Sequence, residues 1–158
     1  MVQRIFDIVA KRAQEQPSSV MLAAKEQGSW RTYTTAQAWD MARKLCGGLQ
    51  TLNLRNHILQ PEFQEKIAII SPNRPEWIIT DLAVQMSGAV LTPLYPTISP
   101  KEMEYILNEA EVHIVFVASK DLYERFKTAF GKTASVKHIY CFDKIDGIPN
   151  WQELLNKD

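Results

Sequence analysis

The sequence predicts an α/β fold: a largely parallel sheet with flanking helices, built from βαβ units. Apolar, β-branched runs centre near Ile69, Val90, Val115 and Ile139. A helical pattern separates each run from the next, and strands alternating with helices of this length pair in parallel through right-handed crossovers. At 158 residues the chain is of single-domain size. Residues 66–158 read as the βα repeat core. Residues 1–65 read as a helix, a hairpin, a long helix and a loop that precede it.

Ile5, Ile8, Val9 and Ala13 recur at spacings of three and four, which predicts a short amphipathic helix stopped by Pro17. A membrane-surface role is one reading of that helix. Packing of its apolar face on the domain is the better one, because the polar face is short and carries both signs of charge. Val20–Ala24 and Trp30–Tyr33 are extended runs around Gly28 and predict a hairpin. Thr34 then caps a long helix, with Gln37 completing a capping box. Ala38, Ala42, Leu45, Leu49 and Leu52 form its apolar stripe. Gly47 and Gly48 interrupt that stripe at up to ~1 kcal/mol each relative to Ala, so a close packing contact is expected there. The polar stretch Asn53–Glu65, with Pro61, reads as a surface loop.

In the core, Asn73-Arg74-Pro75-Glu76 opens a helix as an N-cap, an early proline and an acid at N3. Ile78, Ile79, Leu82, Ala83 and Met86 continue it, and Trp77 and Val84 widen its apolar face, so it should be largely buried. Gly88 is the natural residue just past its end. Ser99-Pro100-Lys101-Glu102 opens a second helix by the same logic, running through Met103, Ile106, Leu107 and Ala110. A third spans about Ser119 to Phe130. After Ile139–Phe142 the chain turns at Asp146-Gly147 and ends in a short segment around Trp151–Leu155.

Composition excludes several functions. Lys plus Arg equals Asp plus Glu at 18 each, mixed along the chain, so no basic stripe marks a nucleic-acid partner. The longest apolar run, Ile114–Ala118, falls far short of the ~20 residues of a membrane span. Asp7, Lys11 and Arg12 interrupt any signal-peptide core. Without such a signal, Cys46 and Cys141 read as reduced, buried thiols rather than a disulfide or a nucleophile.

A parallel sheet invites a nucleotide at the C-terminal ends of its strands. Those ends carry Ser71-Pro72-Asn73 and Pro93-Leu94-Tyr95-Pro96. A phosphate cradle needs converging N–H groups, and proline removes them. The six glycines form neither GxGxxG nor GxxxxGK[ST], and GxSxG is absent. His57, His113 and His138 belong to no ligand motif; a metal site shared by His113 and His138 competes with the simpler reading of two strand-end histidines. Glu102, Glu104, Glu109 and Glu111 suit a solvated helix face with a first-turn charge better than a catalytic cluster. Trp39 and Trp77 sit at core spacings, whereas Tyr95 stands in a proline-bounded loop where a ligand contact is the minority reading. The residues alone assign no catalytic, cofactor-binding or metal site.

The words PNRPEWIITDLA, SGAVLTPLYPT and EMEYILNEAEVHIVFV resemble, in order and spacing, the long-chain branch of the adenylate-forming acyl-CoA ligases. YTTAQAWDMARKLCGGLQTLNL is similar to that family's early helix, and PNWQELL to a segment after its fourth strand. One departure is the longer NHILQPEFQEK where the family usually has a Gly-Asp turn. The resemblance implies a two-step reaction: ATP and a fatty acid give an acyl-adenylate and pyrophosphate, with Mg2+ on the phosphates, and CoA then displaces AMP. It also implies that the phosphate loop, the adenine and ribose motifs and the catalytic lysine lie downstream of this stretch. The expected role is therefore an N-terminal subdomain, inactive alone and partnered by the remainder of the same polypeptide. The implied setting is cytoplasmic, with peripheral membrane contact of the parent enzyme left open. The alternative is a stand-alone, non-enzymatic interaction module. Self-association through an exposed apolar surface would fit either, and a phosphoacceptor receiver-like domain fits poorly because Ser71-Pro72-Asn73 replaces its acidic pocket.

Overall fold

A computed structural model describes residues 4–55, 60 and 62–157. Among these the chain runs α1 (Ile5–Glu15), β1 (Val20–Glu26), β2 (Ser29–Thr34), α2 (Thr35–Gln50), β3 (Lys66–Ile70) and α3 (Pro75–Ser87). It continues through β4 (Val90–Leu94), α4 (Pro100–Glu109), β5 (Ile114–Val117), α5 (Lys120–Lys132), β6 (His138–Cys141) and α6 (Gln152–Leu155). β1 and β2 form the expected antiparallel hairpin, and the other strands form one sheet in the order β4-β3-β5-β6. All of its pairings are parallel, as strand–helix alternation predicts.

Strand alternation divides the core into two layers. Ile67, Ile69, Ile114 and Phe116 face one side, packed with Leu45 and Leu49 of α2, Ile79 and Ala83 of α3, and Leu154 of α6. Ala68, Ile70 and Val115 face the other, against Met103 and Leu107 of α4 and Phe126 and Phe130 of α5. Both faces of β3 and β5 are covered, which is why these strands read as continuous apolar runs. β4 lies at a border of the sheet and carries Pro93. Val90 donates its N–H to Glu65 O at 2.8 Å, so alternation turns Pro93 away from β3, where a missing N–H breaks no ladder bond.

The capping chemistry is local. Gln37 N–H donates to Thr34 Oγ1 at 3.2 Å while Thr34 N–H donates to Gln37 Oε1 at 2.9 Å, and Ser99 with Glu102 repeats the box on α4. Gln27 and Gly28 take φ of 48° and 85°, the left-handed pair that a two-residue hairpin turn needs. Gly88, at φ 79°, ends α3.

Three expectations need correction. Arg74, not Asn73, occupies the cap position of α3, and no side chain caps it. Pro75 sets the first helical residue, because its fixed φ suits that position and its absent N–H would be unpaired there anyway. That puts Glu76 at N2 rather than N3. In α1, Phe6 and Val9 pack against the core while Ile5 and Ile8 are 69% and 57% exposed. The helix is rolled so that the larger ring is covered, along a stripe at 6, 9, 10 and 13. The expected close contact in α2 falls on Gly48 alone: a Cβ there would meet Leu154 O of α6 at 2.1 Å, whereas one on Gly47 would meet nothing within 4 Å. In the Asn53–Glu65 loop, residues 56–59 and Pro61 lie outside the described residues.

The two glycines therefore make a paired test. Gly47→Ala should leave stability unchanged or raise it by up to ~1 kcal/mol. Gly48→Ala should cost about 1–3 kcal/mol or more, because a rigid backbone carbonyl blocks the new methyl. Urea denaturation of both variants checks this, and equal midpoints would refute it.

Candidate functional site

Parallel strands end together, so the turns after β3, β4, β5 and β6 converge on one edge of the sheet. Two features are built there. One is a cleft of about 670 Å³ lined by Ser71, Pro72, Asn73, Trp77, Pro93, Leu94, Tyr95 and Pro96. The sequence pointed to both of its turns. Trp77 is shared between the core and this cleft, and Tyr95 is 79% exposed on its rim. The Ser71 hydroxyl donates to Pro72 O at 2.7 Å, so it is tied to its own turn rather than to a base. An apolar wall with an aromatic rim and three prolines can hold a flat or aliphatic group. Pro72, Pro93 and Pro96 have no backbone N–H to give a phosphate.

The other feature is a chain of charges that sequence reading missed. Glu76, in the first turn of α3, is 3% exposed. Its Oε1 accepts from Arg31 Nη2 of β2 at 2.5 Å, and its Oε2 from Arg74 Nε at 2.8 Å. Arg74 Nη1 goes on to Ala118 O after β5 at 3.2 Å and to Asp143 Oδ1 after β6 at 3.0 Å. Its guanidinium also lies over the Phe142 ring, 5.4 Å from the ring centroid, within cation–π range. Burial alone would push the Glu76 carboxyl up, but the arginines hold it below the ordinary carboxylate range. Burial opposes charge on Arg31 and Arg74 too, and it is more than offset by Glu76, helped by Tyr33 and Glu26 at Arg31 and by Asp143 at Arg74. Tyr33, under the Arg31 guanidinium, is pushed up first by burial and then by Glu76. The signal in the sequence was Arg-Pro-Glu after a strand, but Arg31 lies 45 positions away and nothing local announces it.

Other sequence candidates disperse. His113 Nδ1 lies 2.9 Å from Glu65 Oε1 and its Nε2 lies 3.1 Å from Arg55 Nη2, at the opposite edge of the sheet. His138 donates its backbone N–H to His113 O, but no group of three or more His, Cys, Asp or Glu among the described residues could hold a metal ion. His138 itself is pushed down by burial, then by Lys157 and Lys137. His57 lies outside the described residues. Glu102 caps α4, and Glu104 pairs with Lys132 at 3.7 Å. Cys46 and Cys141 are free thiols, and burial pushes both up, against any nucleophilic role. Trp39 is half-buried on α2. No helix among the described residues is long and apolar enough to cross a membrane.

Comparison with known proteins agrees with this architecture. Residues 9–157 match the family model described as AMP-binding enzyme. The chain is 29% identical to long chain acyl-CoA synthetase 4 of Arabidopsis thaliana, over 87% of this chain and 20% of that protein. It is 30% identical to long chain acyl-CoA synthetase 5 of the same plant, over 89% and 21%. It thus spans about a fifth of the length of the curated relatives it matches. Among solved structures, coronafacic acid ligase from Pectobacterium brasiliense superposes with a TM-score of 0.82 at 18% identity, over 98% of this chain and 30% of that one. A long-chain-fatty-acid-CoA ligase from Archaeoglobus fulgidus superposes at 0.78 and 19%, over 95% and 29%. At such identities the superpositions show the fold.

The buried carboxylate yields a sharp test. Glu76→Gln should cost about 2–4 kcal/mol, the range for breaking a buried ion pair, discounted because Arg31 is half-exposed. The Glu76 value is depressed in the folded state, so its contribution is present above the ordinary carboxylate range and is lost as pH falls through the lower folded value. Urea titrations at pH 7 and pH 3 should therefore show the gap between wild type and variant narrowing in acid. A constant gap would sink the ion-pair account.

Proposed function

Because the chain belongs to the AMP-binding enzyme family, we propose that it is the N-terminal portion of a long-chain fatty-acid–CoA ligase of the AMP-forming type. The observation that carries this reading is the continuous match over residues 9–157, from α1 through α6, together with relatives named as long chain acyl-CoA synthetases. In that enzyme, residues 1–158 act as a single α/β domain, with 66–158 as its βα core. The domain supplies scaffold and one wall of the working cleft, the wall formed by Trp77, Leu94 and Tyr95.

The reaction of the whole enzyme would use ATP, CoA and Mg2+, but the residues of this chain do not fit those groups. Three of the eight residues lining the cleft, Pro72, Pro93 and Pro96, have no backbone N–H to offer a triphosphate, and the described residues offer no metal-binding cluster. No catalytic or cofactor-binding role is therefore assigned to any residue here. The free thiols Cys46 and Cys141 suit a reducing, cytoplasmic setting.

Two experiments test the reading. Residues 1–158 incubated with ATP, Mg2+, CoA and a long-chain fatty acid should give acyl-CoA no faster than buffer alone; formation above that background would overturn the scaffold role. The intact mass of the native product in its source cell should be several times larger, with a Ser/Thr/Gly-rich loop ending in lysine downstream. A native product ending at Asp158 would refute the ligase reading and leave an interaction module built around the exposed aromatics Trp30 and Tyr95.

A further inference from the structure

At the sheet edge opposite the cleft, one carboxylate, one imidazole and one guanidinium meet. Glu65, just before β3, is 2% exposed. Its Oε2 accepts the Arg55 backbone N–H at 3.2 Å, and its own N–H donates to Arg55 O at 2.9 Å. Its Oε1 is buried without a hydrogen bond and lies 2.9 Å from His113 Nδ1. Across the ring, His113 Nε2 lies 3.1 Å from Arg55 Nη2. A guanidinium can only donate. Nε2 must therefore be the acceptor, and the single proton of the neutral ring sits on Nδ1, beside Glu65 Oε1 but not aligned for a hydrogen bond to it.

Other charged groups surround this trio. Glu111, held at φ 49° just after α4, places Oε2 3.7 Å from Arg55 Nη1. Arg55 Nε stands 4.0 Å from Glu65 Oε2. Lys66 follows Glu65 and donates from Nζ to Gln64 O. On the β6 side, Lys137 and His138 both donate backbone N–H groups to His113 O. Lys157 acts on His138, which burial and the two lysines keep neutral to a lower pH than an ordinary histidine. β4 brings no charge, only the Val90 N–H bonded to Glu65 O.

We propose that His113 is a proton-operated clasp on Arg55. A solvent proton added to Nε2 abolishes the acceptor for Arg55 and sets an imidazolium against the guanidinium. It also supplies the buried Glu65 carboxylate with a full counter-charge. Glu65 then pairs with the ring, and the Arg55 side chain is released toward Glu111 and solvent. Glu65 Oε1 thus has no hydrogen bond in the neutral state and a charged partner in the other. Arg55 has its acceptor only in the neutral state, so the two states differ at both contacts.

The test is NMR on the intact chain. Long-range 1H–15N spectra at pH 7.5 should show the Nδ1–H tautomer of His113; an Nε2–H tautomer would overturn the proposal. Exchange of the Arg55 guanidinium protons, measured relative to those of Arg74 in the same spectra, should rise at least tenfold between pH 7.5 and 5.5. An unchanged ratio would also overturn it. His113→Gln should abolish the rise and His138→Gln should preserve it, and the reverse pattern would assign the clasp to the wrong histidine. The tautomer and the exchange ratio are read on the unmodified chain, so the test stands even if a variant folds poorly.

Discussion

One carboxylate holds the cleft edge of this molecule together. Glu76 sits where α3 begins and binds two arginines that come from opposite directions, Arg31 from the hairpin and Arg74 from its own helix cap. Arg74 then reaches the turns after β5 and β6. The hairpin therefore does not depend only on apolar contact with the domain, and the turns after β3, β5 and β6 are tied to a common charge. A buried charge is tolerated only when its partners are complete, and here each oxygen has its own. This explains why a helix without a capping side chain can start so abruptly at Pro75. The first-turn acid and the arginine network do the fixing that a cap would otherwise do.

The periodic parts of the fold were legible in the sequence. Ile67, Ile69, Ile114 and Phe116 announce buried parallel strands because both faces of β3 and β5 are covered, which leaves no room for polar alternation. Caps at Thr34 and Ser99 were legible because donor, acceptor and apolar stripe lie within four residues. Long-range partners were not. Nothing near Gly48 says that Leu154 O will lie over it, and nothing near Glu76 names Arg31. The roll of α1 was misjudged for a similar reason: Ile5 and Phe6 are both apolar neighbours, and only the surface that receives them decides between them.

The site divides along the same line. Its turns could be located from strand ends, and their prolines already argued against a phosphate cradle. The cleft wall, by contrast, could not be seen in the sequence, because Trp77 of α3 and Leu94 of β4 meet there only in the folded chain. Architecture is written in local periodicity and is legible over 158 residues, whereas a site is written in contacts between distant residues and is not.

The borders of the sheet have one more consequence. On β4, alternation leaves only Leu91 and Pro93 facing outward, and Pro93 has no N–H to offer. On β6, the Pro149–Trp151 turn bonds both the N–H and the C=O of Cys141, and Asn150 Nδ2 covers the carbonyls of Cys141 and Phe142. A stray strand from another molecule would thus find one of the two outward donors missing on one side and the rungs already taken at one end of the other. Four short parallel strands with bare margins would be an invitation to polymerise, and this chain declines it at both.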